Sequence, residues 1–89
     1  MFANDPGGRA ASRAVVVLLT GPTAEALQAI GGSLVEERLA ACVNVLPGVK
    51  SIYRWEGGVE ESDEALAIVK TTVARLPGLE ARVGAVSYT

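Results

Sequence analysis

The sequence predicts an α+β domain in which one antiparallel sheet carries two helices on a single face. Three observations predict it. Ala14-Val-Val-Val-Leu-Leu-Thr20 is β-branched and apolar at consecutive positions, the pattern of a central strand buried on both sides. Leu27, Ile30 and Leu34 then recur at helical spacing, with Ala26 and Ala29 beside them. A second β-rich stretch folds back around a glycine turn and leads into another helical stripe.

Element by element, Met1 to Arg13 holds two Gly, one Pro and no apolar periodicity, so 1–13 reads as a flexible tail and 14–89 as a single domain. Gly21 and Pro22 end the first strand, and Pro22 suits the first position of a helix running from Thr23 to Leu39. Glu25 in its first turn and Arg38 in its last complement the helix dipole. Gly31-Gly32 interrupts this pattern, so either another backbone packs closely there or the helix is locally weak. Ala41 to Trp55 reads as a long strand with a bulge or bend at Pro47-Gly48, because proline cannot donate to a ladder. Glu56-Gly57-Gly58 is a tight hairpin turn, and the return runs from Val59 to Thr71. On it Leu66, Ile68 and Lys70 share one face, and Ala67, Val69 and Thr71 the other. Thr72 precedes a helix with Pro77 near its first turn, Leu76, Leu79 and Val83 along one stripe, and Gly84 fraying its end. The βαββα order is that of a ferredoxin-like βαββα(β) sandwich whose final strand is missing or incomplete.

Composition excludes several function classes. Eight Lys plus Arg against ten Asp plus Glu give a net charge of −2, and no basic block offers nucleic acid a footprint. The longest apolar run, Ala14 to Leu19, is far too short to span a membrane as a helix. There is no His, which removes histidine-based acid–base catalysis and histidine metal ligation. A lone cysteine makes no internal disulfide and fits a reducing, cytoplasmic setting. No Ser-His-Asp set and no phosphate-cradling glycine loop is present.

Several side chains carry chemistry nonetheless. Cys42 is the one soft metal ligand, and a single thiolate does not make the site that copper or zinc prefers. Its ordinary role is that of a small hydrophobe packed in a strand. Tyr53 and Trp55, two apart on a strand, share a face suited to a subunit interface first and a ligand platform second. Lys70, partly buried, calls for a counter-charge from Glu56 or Glu37. It would either reach water along its stem or bind an anion with Thr72, which would also cap the following helix. Glu60, Glu61, Asp63 and Glu64 form an acidic cluster that reads as a solvated strand edge, binding cations weakly at most.

The blocks Glu36-Glu-Arg-Leu-Ala-Ala-Cys-Val-Asn44, Pro47-Gly48, Ser51-Ile-Tyr-Arg-Trp-Glu-Gly57 and Lys70-Thr-Thr72 stand in the order and spacing of the CutA divalent-cation tolerance family, and Thr20-Gly-Pro22 matches its Thr-x-Pro turn. The sequence resembles that family from about Val15 to Val83. The resemblance implies a ferredoxin-like subunit of a tight homotrimer, cytosolic in bacteria, without catalytic activity, and linked to tolerance of copper and other divalent cations. It also implies a final strand, so the chain reads as a C-terminally truncated member with an unpaired edge on its first strand. Ser87 stands where the family carries a histidine, and Leu19 where some relatives carry a cysteine. The residues expected to bind a ligand are Tyr53, Trp55, Glu56, Lys70 and Thr72, with Cys42 the candidate for Cu2+ or another divalent cation, held weakly. Two further readings stand beside metal tolerance. One is a trimeric small-molecule or anion sensor resembling the PII proteins, with a cleft near Lys70 and Trp55. The other is a structural module that docks through the hairpin from Val49 to Ser62.

Overall fold

The computed structural model describes residues 10–86. Strand β1 (Ala14–Gly21), helix α1 (Ala24–Glu36), strands β2 (Cys42–Trp55) and β3 (Gly58–Thr72), and helix α2 (Leu76–Val86) follow one another along the chain. Single 3-10 turns at Ala10–Ser12 and Val73–Arg75 precede β1 and α2. The sheet order is β1-β3-β2 with both pairings antiparallel, so β3 lies between the two strands that α1 connects. This is a ferredoxin-like α+β arrangement. Whether the expected final strand is missing or incomplete bears on residues 87–89, which lie outside the described residues, as do residues 1–9 of the stretch read as a tail. At the end of that stretch, the Arg13 carbonyl accepts a hydrogen bond from the Val73 N–H at 3.1 Å.

Helix α1 begins one turn position later than its proline suggests. Thr23 is extended and its hydroxyl accepts from the Ala26 N–H at 3.1 Å, so Thr23 is the cap and Pro22 lies outside the helix. At the other end the helix stops at Glu36, before Arg38. Arg38 is in the left-handed region at φ 62°, with its N–H on the Val35 carbonyl at 3.1 Å and the Leu39 N–H on the Leu34 carbonyl at 2.8 Å. That pair of bonds is a Schellman ending, with arginine where glycine is usual. Helix α2 runs on through Gly84 to Val86.

Core side chains come from alternate positions. Ala65, Ala67, Val69 and Thr71 of β3 are buried against Leu27 and Leu34 of α1 and Leu79 of α2, with Val17, Leu19 and Val43 packed alongside. Both helices therefore cover the same face. Gly31 is buried because α1 comes so close to β2 that an added Cβ would lie 3.0 Å from Val43 Cγ1. The close neighbour is thus a side chain rather than a backbone. At Gly32 nothing lies within 4 Å of the same position.

Among the described residues the opposite face of the sheet carries no helix. Val16 is 56% exposed and Leu18 63%, so β1, an edge strand among the described residues, is not buried on both faces. Leu46 is exposed on the same side, and Leu66, Ile68 and Lys70 are half-buried there. The molecule is elongated, 48 Å in its longest extent, because the β2–β3 hairpin continues past the last residues the helices cover.

Candidate functional site

The bulge in β2 decides what the hairpin presents. Leu46 pairs with Leu66 and Val49 with Glu64, so two residues of β2, Pro47 and Gly48, stand opposite Ala65 alone. The odd positions before it, Val43 and Val45, point at the helices; after it, Val49, Ser51, Tyr53 and Trp55 fall on the bare side. Tyr53 and Trp55 share a face as expected and both are exposed, Trp55 to 61%. They extend the apolar side that Val16, Leu18 and Leu46 begin. Glu56 at φ 49° and Gly57 at φ 82° form the two-residue loop, the geometry of a type I′ turn.

The candidate ligand residues do not converge within one chain. Tyr53, Trp55 and Glu56 sit at the hairpin tip, whereas Lys70 pairs with Val16 and Cys42 at the far end of the sheet. Twelve strand residues between Gly58 and Lys70 place them roughly 40 Å apart at about 3.3 Å per residue. No single-chain cleft joins Lys70 to Trp55, and Glu56 is no counter-charge for Lys70. Glu37 is not one either, since both its carboxylate oxygens accept from Arg82 Nε at 3.1 Å. Lys70 has no ion pair among the described residues, which leaves its stem on the sheet and its head toward water. Thr72 occupies the cap position of the turn before α2, but its side chain makes no capping hydrogen bond.

Cys42 opens β2 on the bare side, half-buried, with its thiol 3.8 Å from Asn44 Oδ1 and Lys70 as register partner. A cation beside it is a poor neighbour for a metal. The acidic cluster is divided by the strand: Glu60 and Glu64 fall on one side, Glu61 and Asp63 on the other. Asp63 pairs with Lys50 at 2.6 Å, and the Ser51 hydroxyl donates to Glu64. Among the described residues no three His, Cys, Asp or Glu side chains come together to hold a metal ion. The described residues of one chain therefore do not by themselves make a divalent-cation site.

A cleft of about 410 Å³ is lined by Val35, Arg38, Ala40, Ala41, Thr71, Thr72 and Arg75. It lies where the turn after α1 meets the end of β3. Thr71 is 2% exposed and donates to the Leu39 carbonyl at 2.7 Å. The Ala41 N–H bonds the Lys70 carbonyl at 2.8 Å, and Arg75 Nη1 donates to the Arg38 carbonyl. Thr72 belongs to this cleft as the sequence suggests, but with Arg38 and Arg75 rather than Lys70. The two arginines are 37 positions apart, and nothing in the sequence pairs them.

Comparison with known proteins bears on most of the chain. A family model described as CutA1 divalent ion tolerance protein matches residues 15–88. A divalent-cation tolerance protein CutA of Thermus thermophilus is 56% identical over 70 residues, 79% of this chain and 68% of that protein. A chloroplastic CutA protein of Arabidopsis thaliana is 45% identical over 71 residues, 80% of this chain but 39% of the plant protein. The chain thus spans about two fifths of that relative's length. The crystal structure of CutA1 from Oryza sativa superposes with a TM-score of 0.80 at 42% identity, covering 85% of this chain and 70% of the other. Among the described residues no helix is long and apolar enough to cross a membrane.

Proposed function

The chain belongs to the CutA1 divalent ion tolerance family, and on that premise we propose that it acts as a non-enzymatic, self-assembling subunit in the response to divalent cations. The assembly is a homotrimer, and the bare apolar side of the sheet is its contact surface. One observation carries this reading: Val16, Leu18 and Leu46 stand exposed on the helix-free face, and beyond the bulge Tyr53 and Trp55 stand exposed on the same side. Apolar patches of this kind on a small domain mark interaction sites, and aromatic residues are enriched in interface cores. A chain of 89 residues also gains more from association than from its own small core.

Copper(II) is the divalent cation assigned to Cys42, since it stands highest in the affinity order of the first-row divalent metals. With Lys70 alongside and no cluster of three His, Cys, Asp or Glu among the described residues, such binding is weak and draws further ligands from other copies. The lone, half-buried thiol suits a reducing cytoplasm. Leu18→Asp tests the assembly: it puts a charge on the bare face without touching the buried core. The variant is expected to keep its far-UV circular dichroism and to scatter as a single 9.2 kDa chain, with the wild type at three times that mass. A variant that assembles like the wild type contradicts the proposed surface. Cys42→Ser with unchanged copper binding contradicts the thiol as ligand.

A further inference from the structure

We propose that the cleft between the turn after α1 and the end of β3 binds a small oxyanion, a phosphate or carboxylate group carried on a compact molecule, through Arg38, Arg75 and Thr72. This goes beyond cation tolerance and uses none of the residues assigned to assembly. Three observations support it.

The first is charge. Two arginines, Arg38 and Arg75, line one cavity and no acidic residue lines it. The carboxylate nearest in sequence to Arg38, that of Glu37, is held by Arg82 through both oxygens. Neither Arg38 nor Arg75 forms an ion pair among the described residues. Planar guanidinium groups match carboxylate and phosphate oxygens in a bidentate way, which makes an arginine pair without a carboxylate a ready oxyanion receptor.

The second is positioning. Arg38 is held at φ 62° by the Schellman bonds, a conformation that disfavours a side chain with a Cβ, and Arg75 is tied to its carbonyl. These constraints fix the backbone from which one guanidinium extends and hold the other against it. The Thr72 side chain lines the same cavity and makes no capping bond, so its hydroxyl is available to a ligand.

The third is shape. A volume of about 410 Å³ lies within the range of small-molecule pockets. Val35, Ala40 and Ala41 supply an apolar side against which the uncharged part of a ligand packs.

Isothermal titration at constant ionic strength, with inorganic pyrophosphate and with citrate as separate probes, tests the assignment. Saturable heat with at least one probe is expected, and which probe binds more tightly distinguishes a phosphate from a carboxylate ligand. Arg75→Gln removes the charge and shortens the side chain, and is expected to weaken binding about tenfold. Arg38→Gly removes the other guanidinium at a position where glycine suits the backbone, so weaker binding there is not a folding defect. Arg54→Gln, on the distant hairpin, is expected to bind as the wild type does. No saturable heat with either probe, or wild-type affinity in both cleft variants, overturns the proposal.

Discussion

The hydroxyl of Thr71 donates to the main-chain carbonyl of Leu39 at 2.7 Å, joining the last core position of the central strand to the turn that ends α1. Because Thr71 is buried, this bond serves a carbonyl that water reaches poorly. Thr71→Val keeps the shape and removes the donor. It is expected to lower stability by about 1–2 kcal/mol, read as a shift in the urea midpoint with unchanged slope.

Adjacent glycines in α1 have opposite sensitivities. Gly31→Ala drives a methyl group against Val43 and is expected to cost about 1–3 kcal/mol. Gly32→Ala meets nothing and is expected to stabilise by about 0.5–1 kcal/mol through helix propensity. Paired denaturation curves check both, and the same sign at both positions contradicts the packing described.

Arg38→Gly relieves a left-handed residue that bears a side chain, at the helix ending where glycine is favoured. A gain of about 1 kcal/mol is expected in chemical unfolding. A loss shows that the side chain itself holds the turn.

The register of the hairpin makes a prediction of its own. Deleting Gly48 removes the extra residue of the bulge and turns Tyr53 and Trp55 to the other side of the ladder. The expected result is a folded chain by circular dichroism whose assembly is weakened. Unaltered assembly means that the aromatic side chains at the tip do not contribute to the contact.

Much of this fold is written in local pattern. The element order, the bulge at Pro47-Gly48, the turn at Glu56-Gly57 and the two faces of β3 all follow from short-range rules and are found in the structure. Which face of β3 is the core does not follow from apolar size. The larger residues Leu66 and Ile68 lie on the bare side, while Ala65 and Ala67 are buried beneath α1. Small residues there leave room for the buried Leu27 side chain, which packs in one cluster with them. The left-handed Arg38 is hidden for a related reason, since its conformation comes from the helix ending and not from its own preference.

The site was legible in part. That Tyr53 and Trp55 share a face follows from strand alternation, but their distance from Lys70 depends on a pairing register extending the length of the hairpin. Thr72 could be singled out by its place before a helix. Its partners Arg38 and Arg75 could not, because docking of two turns far apart in sequence brings them to one cleft.

The molar mass of the wild-type protein in solution, measured by light scattering with and without copper(II), bears most directly on the assembly. A mass three times the 9.2 kDa chain in both conditions is the predicted result, with the bare sheet face as the contact. A stable, monodisperse single chain in both conditions contradicts it.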